Sequence, residues 1–394
     1  MSIKKISLAQ FVDVNPEGVT KSYPHDQIEY IDISSVGSGY LVESIRLLQL
    51  KEAPSRAKRI VRTGDTILST VRPNLRSFLL IKDAKSNTIA STGFAVLRAK
   101  NNADPRFIYY AVTDSQFTGY LTNNTKGTSY PAVDSDTVLR GEVPDFQLPQ
   151  QRRIASILSS YDDLIENNRR RIQLLEQSAR LLYKEWFVNL RFPGHEHVKI
   201  TDGVPEGWER KTLGGLCEEI RESVSPDSVE PDTPYIGLEH IPRRSIALNE
   251  WGTADQVTSS KHRFREGEIL FGKIRPYFHK VGIALVDGVA SSDAIVIRPF
   301  RDEWRAFVLM TVSSDGFVAV TAQTMKEGSK MPRADWKQMQ QYLVPLPPEG
   351  VLAVFNSIID PILQQLKTLS FENRNLSKAR DILLPRLMSG EVVI

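Results

Sequence analysis

The strongest constraint on this fold is an internal repeat: short motifs of the first half recur in the same order about 200 residues later. For example, Gly127-Thr128-Ser129-Tyr130-Pro131 recurs as Gly328-Ser329-Lys330-Met331-Pro332, which is 201 residues further along the chain. The other recurring pairs are Tyr30–Ile33 with Tyr235–Leu238, Gly64-Asp65 and Val71–Pro73 with Gly267-Glu268 and Ile274–Pro276, Phe94–Arg98 with Ala294–Arg298, and Val143-Pro144 with Val344-Pro345. Matches in one order at nearly one spacing indicate a duplication, so the chain folds as two similar modules.

Each half also ends in a helical pattern whose members are spaced alternately four and three residues apart. The members are Ile154, Leu158, Tyr161, Ile165, Asn168, Ile172, Leu175, Ala179, Leu182 and Trp186, then Phe355, Ile359, Ile362, Leu366, Leu369, Asn373, Leu376, Arg380, Leu383 and Leu387. A sustained period of 3.5 residues is typical of a coiled-coil seam. We therefore predict a helix-pair seam, centred on Ile165, Asn168, Ile172, Leu175, Leu366, Leu369, Asn373 and Leu376. The alternative is two amphipathic helices, each packed on its own domain.

Polar residues within these patterns predict a helix break in each half. Ser160-Tyr161-Asp162-Asp163 resembles a capping box, and Asp360-Pro361 offers an N-cap followed by proline at the first helical position. A short helix would end near residues 160 and 360, and a long one would begin there. Because a duplicated chain with pseudo-twofold symmetry places its equivalent helices head to tail, we expect the two long helices to be antiparallel.

The rest of each half reads as mixed strand and helix, which predicts an α+β fold. Short apolar runs such as Ile67-Leu68, Leu79–Ile81 and Phe94–Leu97 predict strands, and each has a counterpart in the second half. A segment rich in proline and glycine between Phe192 and Gly207 predicts a linker. The predicted domains are residues 1–149, 150–187 (first helix), 188–207 (linker), 208–348 and 349–390 (second helix).

Composition excludes several classes of protein. Hydrophobic residues make up 41% of the 394 residues and charged residues 25%, as in ordinary globular proteins. The single cysteine, Cys217, cannot form an internal disulfide, and no apolar run approaches the roughly 18 residues of a membrane span. The N-terminal residues do not develop into a signal peptide. We therefore expect a cytoplasmic protein.

Catalytic motifs are nearly absent. Gly267–Lys273 matches the first seven positions of a phosphate-binding loop, but Ile274 stands where Ser or Thr would hold magnesium. His195-Glu196-His197 has no second ligand cluster, and Glu209-Arg210-Lys211 has no suitably placed acid before it. We expect no catalytic residues, no metal and no cofactor bound by this chain, and this favours a binding protein.

Basic residues are concentrated at the same place in both repeats. Residues 51–82 contain eight basic residues against two acidic ones, and residues 258–280 contain six against two, although the net charge of the whole chain is only +3. Such local concentration is the pattern expected of phosphate contacts with DNA. A charged, solvated face is the alternative.

The loops that follow each Arg-Pro differ between the repeats, which suits two modules that read different base edges. Small polar residues and lysines in or just before the two recurring glycine loops, Gly127–Pro131 and Gly328–Pro332, suit phosphate contacts, and plain turns are the equally open alternative. The predicted DNA-binding residues are Arg72, Asn74, Arg76, Lys126, Thr128, Ser129, Arg275, Tyr277, His279, Lys280, Lys326, Ser329 and Lys330.

These motifs, in this order and duplicated, resemble the specificity (S) subunit of type I restriction–modification systems over nearly the whole chain. The residues that carry the resemblance are Gly64–Leu68 with Val71–Pro73, the two glycine loops, the segment from Pro144 to Ala155, and Pro205–Trp208 at the start of the second half. The first half has no counterpart of Pro205–Trp208.

The resemblance implies two target recognition domains, each of which reads one half of a bipartite DNA site. It implies that the paired helices space these domains and hold two methyltransferase (M) subunits, and that restriction/translocase (R) subunits join the complex. DNA methylation and phage defence would then be activities of the complex. S-adenosylmethionine, ATP and magnesium would be bound by the partner subunits.

Two other functions remain open at this point. A coiled-coil adaptor that binds protein rather than DNA would cause no DNA shift, whether or not a methyltransferase partner is present. A self-sufficient nuclease or methyltransferase would act on DNA unaided.

Overall fold

The computed structural model describes residues 3–323 and 331–392. The chain divides into two compact units, and each long helix contributes to both. The first unit comprises Met1–Leu164 and Asn375–Ile394, and the second comprises Ile165–Arg374.

The first unit combines short strands with three short helices and parts of the two long helices. Its described strands are β1 (Lys5–Ser7), β2 (Val12–Val14), β3 (Gln27–Ile31), β4 (Arg46–Gln49), β5 (Ala57–Ile60), β6 (Thr66–Ser69), β7 (Phe78–Leu80), β8 (Thr88–Ser91), β9 (Phe94–Ala99) and β10 (Glu142–Pro144). Its helices are α1 (Pro105–Thr113), α2 (Ser115–Asn123), α3 (Ser135–Arg140) and the first part of α4 (Leu148–Tyr183).

Two four-stranded sheets form the body of the first unit, in the orders β2-β9-β6-β7 and β4-β3-β8-β5, and β1 pairs with β10. All these pairs are antiparallel except β3 with β8, which is parallel. Asp104 caps α1 by accepting hydrogen bonds from the backbone N–H groups of Arg106 and Phe107. The largest core cluster joins α1 to the sheet and includes Phe107, Val112 and Leu158.

The second unit has the same kinds of element. Its described strands are β11 (Ile200–Thr201), β12 (Val204–Pro205), β13 (Glu209–Thr212), β14 (Cys217–Ile220), β15 (Ser223–Val224), β16 (Pro234–Ile236), β17 (Ala247–Leu248), β18 (Gly252–Thr253), β19 (Lys261–Phe264), β20 (Ile269–Gly272), β21 (Val281–Ala284), β22 (Gly288–Ala290), β23 (Ala294–Pro299) and β24 (Leu343–Leu346). Its helices are α5 (Arg305–Val312), α6 (Asp315–Gln323), α7 (Trp336–Met339) and most of α8 (Glu349–Met388).

Strand pairing in the second unit follows the order of the first. The sheets β14-β23-β20-β21-β17 and β15-β19-β22-β16-β18 repeat the two four-stranded orders, each with one additional edge strand. The parallel pair β16 with β22 corresponds to β3 with β8, and β13 with β24 corresponds to β1 with β10.

The two long helices contact each other within each unit. In the second unit, Asn168 donates a hydrogen bond to Glu372 (3.2 Å), and the Trp186 ring lies 5.8 Å from the Phe355 ring. The contact partners in α8 thus move toward lower residue numbers as α4 advances. In the first unit, Arg380 forms an ion pair with Asp162.

The predicted break near residue 160 is wrong, because α4 runs without interruption from Leu148 to Tyr183. The residues that resemble a capping box make other contacts. Ser160 donates to the carbonyl of Ile157 within the helix, Asp162 accepts from the Tyr110 hydroxyl (2.6 Å), and Asp163 accepts from Lys82 (2.9 Å). Both aspartates therefore bind side chains from other parts of the unit and do not cap a new helix.

The predicted break near residue 360 is also wrong, because α8 continues through Pro361. Proline removes the N–H that would bond the carbonyl of Ser357, one turn earlier. Ser357 and Pro361 are exposed, so water can satisfy that carbonyl. Buried Ile359 and Leu363 hold the helix on the core on both sides of the proline.

The segment expected to be a linker is packed against the second unit. After α4 the chain forms a π-helical turn, Lys184–Val188, and then the small hairpin β11–β12. Phe192 and Trp208 are buried, with their ring centroids 4.7 Å apart.

No single helix in the described residues is long and apolar enough to cross a membrane. The bent pair Asp302–Val312 and Asp315–Gln323 has sufficient length and apolar composition only when both segments are counted together. Phe307, Leu309 and Phe317 of this pair are buried in the core of the second unit.

Candidate nucleic-acid interface

Each unit contains a turn with the same unusual backbone, which we call the Arg-Pro turn. In the first unit it runs from Arg72 to Arg76 around a 3-10 turn, and in the second from Arg275 to His279. The first and last residues are left-handed in both, with φ of 49° and 55° in the first turn and 50° and 54° in the second. Such a conformation costs a residue with a side chain about 1–2 kcal/mol, so other contacts must hold it.

The last residue of each turn supplies one of those contacts. Arg76 donates hydrogen bonds to the carbonyl of Thr113 (2.7 Å) and the hydroxyl of Thr118 (3.1 Å). At the corresponding position, His279 Nε2 lies 2.8 Å from the carbonyl of Ser313. Both residues therefore fix their turn to the carboxyl end of the helix that follows the central sheet, α1 or α5.

Burial distinguishes these two residues from ordinary DNA-contacting groups. The His279 side chain is only 2% exposed, and burial lowers its pKa. Arg76 is half-buried and also lies against the Phe78 ring. In this structure both side chains hold the turn; His279 is withdrawn from solvent, whereas part of Arg76 remains exposed.

A loop of residues 126–132 packs on the first Arg-Pro turn. Lys126 and Ala132 exchange two backbone hydrogen bonds (2.8 and 3.0 Å), and Gly127 takes a φ of 87° that favours glycine. The backbone N–H of Arg72 donates to the carbonyl of Pro131 (2.7 Å), which joins the loop to the turn.

Exposed polar groups cover this combined surface. Asn74, Thr128 and Ser129 are exposed. Lys126 is also exposed and forms an ion pair with Asp134 (3.0 Å). Hydrogen bonds from Thr137 and Lys126 lower the pKa of Asp134.

The Arg72 side chain lies on the same loop. Its guanidinium carbon is 5.0 Å from the centroid of the Tyr130 ring, and its Nη2 donates to the carbonyl of Ser129 (3.3 Å). Tyr130 itself is 73% exposed. Sequence reasoning did not select Tyr130 as a site residue, although the motif that contains it was identified.

The second Arg-Pro turn presents different side chains on the same frame. Tyr277 is 53% exposed, and Phe278 lies beneath the guanidinium groups of Arg243 (4.3 Å) and Arg275 (5.8 Å). Lys280 donates to the carbonyl of Leu238, and burial lowers its pKa. Arg243 is a further basic residue at this surface that the sequence motifs did not indicate.

The second glycine loop is described only in part. The predicted DNA-binding residues Lys326, Ser329 and Lys330 lie outside the described residues. The backbone N–H of Arg275 donates to the carbonyl of Pro332 (2.9 Å), as Arg72 does to Pro131 in the first unit.

The acidic residues of the recurring Gly-Asp and Gly-Glu motifs are structural. Asp65 is 2% exposed and pairs with Arg98 (2.7 Å), and Glu268 pairs with Arg298 at the equivalent position. Each acid also accepts a backbone N–H three residues earlier, from Arg62 or Arg265. The motif therefore ties the start of one central strand, β6 or β20, to its neighbour.

Ion pairs occupy part of the first basic stretch. Arg56 pairs with Asp32 (2.8 Å), Arg62 with Glu17 (2.8 Å) and Lys82 with Asp163 (2.9 Å). Lys51 and Lys58 are exposed. Because these ion pairs neutralise three of the basic residues, the charge counted from the sequence of residues 51–82 overstates the positive charge that is free to contact DNA.

The predicted helix-pair seam is mostly buried. Ile165, Asn168, Ile172, Leu366 and Leu369 are at most 6% exposed. Leu175, Asn373 and Leu376 are half-buried. Asn168 bonds Glu372, whereas the Oδ1 atom of Asn373 is buried with no hydrogen-bond partner among the described residues.

Comparisons with known proteins agree with this architecture. Residues 6–177 match the family model of the type I restriction modification DNA specificity domain. The type I restriction enzyme MjaIX specificity subunit of Methanocaldococcus jannaschii is 24% identical over 396 residues, which cover 96% of this chain and 89% of that protein. The HindI specificity subunit of Haemophilus influenzae is 20% identical over 416 residues, which cover 87% and 90%.

A solved structure extends the likeness in fold to the whole chain. The S subunit of a type I restriction–modification system from M. genitalium superposes with a TM-score of 0.56 at 16% identity, covering 98% of this chain and 96% of that one. Together these comparisons confirm the resemblance that the sequence indicates.

Proposed function

This chain is a relative of the specificity subunits of type I restriction–modification systems, and we propose that it selects the DNA sequence on which such a complex acts. The observation that carries this proposal is the repeated Arg-Pro turn. Its backbone is the same in both units, whereas Asn74 and Leu75 in one are replaced by Tyr277 and Phe278 in the other. A fixed frame with different exposed side chains suits two readers of different sequences.

Each unit would read one half of a bipartite site on double-stranded DNA. The two target recognition domains would be residues 1–149 and 208–348, with residues 188–207 between the first helix and the second domain. Exposed cations such as Lys126 and Arg275 would contact phosphates or base edges, and exposed Arg72 would add positive charge to the same surface. The adaptor hypothesis is not favoured, because the relatives are named as specificity subunits of restriction enzymes.

The two long helices, within residues 150–187 and 349–390, would form an antiparallel coiled coil that spaces the recognition domains about a pseudo-twofold axis. The Asn168–Glu372 and Trp186–Phe355 contacts support antiparallel pairing. The repeated strand order supports the pseudo-symmetry.

Two methyltransferase subunits would dock on exposed apolar residues of these helices. Leu174, Leu181 and Val188 are more than half exposed and follow one another at seven-residue intervals on α4 and the turn after it. Ile358 and Val354 are exposed on α8, and Leu164 is exposed on α4, whereas Ile157 is half-buried. Burying such surface favours association.

Catalysis would belong to the partners. The methyltransferase subunits would bind S-adenosylmethionine, and the restriction subunits would use ATP and magnesium. This chain would bind none of these groups.

A domain exchange tests the two-reader proposal. Replacing residues 1–149 by the equivalent region of a related specificity subunit, in cells that express the methyltransferase subunit, should change one half of the methylated motif and leave the other half unchanged. The exchange of residues 208–348 is the matched control and should change the opposite half. A change in both halves after either exchange would contradict the proposal.

A further inference from the structure

Tyr130 of the first unit combines an exposed aromatic ring with a loop that is held by hydrogen bonds. Its ring is 73% exposed, yet the loop that carries it is hydrogen-bonded at both ends, through Lys126–Ala132 and Arg72–Pro131. Isolated exposed aromatic residues are common. Tyr130 differs from such residues because hydrogen bonds hold its loop and a neighbouring side chain contacts its ring face. It would therefore lose little conformational entropy on binding.

Arg72 provides the support on the ring face. Its guanidinium carbon lies over the ring, 5.0 Å from the ring centroid, and its Nη2 donates to the carbonyl of Ser129, the residue before Tyr130. The planar guanidinium fits both contacts at once, and a lysine ammonium would keep the charge but lose the stacking. Arg72 thus acts on Tyr130, besides adding positive charge to the surface.

The second unit places its aromatic groups differently on the same frame. The position equivalent to Tyr130 is Met331, which is 51% exposed, and the position equivalent to exposed Leu75 is Phe278. The exposed tyrosine of the second unit, Tyr277, therefore lies on the turn and not on the loop. Exchange of aromatic and aliphatic groups between two fixed positions would change which bases each unit accepts.

We propose that Tyr130 is a specificity-determining DNA contact of the first recognition domain, and that Arg72 is a positioning residue that holds its ring. This inference rests on the proposed function, since it names the groups that read the first half-site. A tyrosine can donate or accept a hydrogen bond through its hydroxyl and can pack its ring on a base or sugar, with only two side-chain torsions to order.

The test uses the full-length chain in complex with its methyltransferase subunit. Binding is measured by fluorescence anisotropy on the cognate duplex, defined by methylome sequencing, and on duplexes with single changes in either half-site, over a series of salt concentrations. The variants are Tyr130→Ala, Tyr130→Phe, Arg72→Lys and the double variant Arg72→Lys/Tyr130→Ala. Arg106→Lys is the matched control, since Arg106 is an exposed arginine of the same unit that contacts Ser159.

We expect Tyr130→Ala to lower discrimination within the first half-site about tenfold and to leave the second half-site unaffected. Arg72→Lys should reduce the same discrimination while the slope of log affinity against log salt stays at the wild-type value, because the charge is retained. The double variant should be no worse than Tyr130→Ala, since both changes remove the same contact. Tyr130→Phe should equal Tyr130→Ala if the hydroxyl reads the base, and should retain discrimination if the ring does; both results support the contact.

Three results would overturn the inference. One is wild-type discrimination in Tyr130→Ala, and another is wild-type discrimination in Arg72→Lys. The third is loss of methyltransferase assembly in Tyr130→Ala by size-exclusion chromatography, which would make Tyr130 a protein contact. Failure of the proposed function looks different, because the wild-type complex would then show no sequence preference at all.

Discussion

Glu176 provides the sharpest test of how the long helix α4 is anchored to the second unit. Its side chain is 6% exposed, and one oxygen accepts three hydrogen bonds: from the Ser245 hydroxyl (2.6 Å) and from the backbone N–H groups of Ile246 (2.9 Å) and Ala247 (3.1 Å). Ile246 and Ala247 are completely buried. Removal of the acceptor would leave two buried N–H groups without partners.

The expected magnitude follows from those two groups. Each unsatisfied buried donor costs about 1–3 kcal/mol, and the loss of a buried charge offsets part of the sum. We predict that Glu176→Ala lowers the free energy of unfolding of the second unit by about 2–5 kcal/mol. Glu176→Gln keeps an acceptor oxygen of the same shape and should change that free energy by about 1 kcal/mol or less.

Tryptophan fluorescence during urea unfolding is a selective assay for this unit. All five tryptophans of the chain lie between residues 165 and 374, at positions 186, 208, 251, 304 and 336. Glu166→Ala is the matched control, because Glu166 is exposed on the same helix. If Glu176→Ala unfolds at the same urea concentration as Glu166→Ala, the anchoring argument is wrong.

The pH dependence supplies a second readout of the same residue. Burial raises the pKa of Glu176 above its ordinary value of 4.5. The folded state then keeps this proton at pH values where the unfolded chain has lost it, so the contribution of Glu176 to stability falls as pH rises from about 4.5 through the raised pKa. The stability of wild type relative to Glu176→Gln should therefore be greatest at low pH and decline across that range, whereas parallel profiles would refute the raised pKa.

Three further predictions follow from the helices and the partners. Pro361→Ala should stabilise the second unit by up to about 3 kcal/mol in the same fluorescence assay, because it restores the hydrogen bond to the Ser357 carbonyl; a loss of stability would mean that the proline is required. The purified chain should show neither methyl transfer nor ATP hydrolysis and should be poorly soluble until it is co-expressed with the methyltransferase subunit; a monodisperse chain that methylates DNA unaided would contradict this. Insertion of one heptad after Leu164 and another after Arg374, at the boundaries of the two units, lengthens each helix by about 10 Å; methylome sequencing should then find the gap between half-sites longer by about three base pairs at ~3.4 Å each, and an unchanged gap in an active complex would refute the spacer role.

Much of this architecture is determined by the sequence alone, because its signals are local or periodic. The 3.5-residue spacing predicts that Ile165, Ile172 and Leu366 face the protein interior, since a helix brings every third or fourth residue to one face, and all three are buried. Apolar runs such as Phe94–Leu97 become strand β9 for the same kind of reason. The repeat is a property of residue order, so the sequence alone predicts two similar units.

Tertiary structure alone decides which partner each polar group finds. Asp162 and Pro361 are both typical of a helix start in the sequence. In the structure, Asp162 binds Tyr110 and Arg380. Helix α8 continues through Pro361 because Ile359 and Leu363 pack in the core on either side of it. These contacts join residues far apart in the sequence, so no local pattern predicts them.

The same reason separates the two ends of each Arg-Pro turn. The sequence predicts that Arg76 and His279 contact DNA. In the structure their side chains instead lie against backbone carbonyl groups of the same unit, those of Thr113 and Ser313. Tyr130 is left 73% exposed beside Arg72 because the loop is hydrogen-bonded to the turn in that position. Exposure of a side chain on a loop depends on how distant segments pack, and no periodic spacing of residues encodes it.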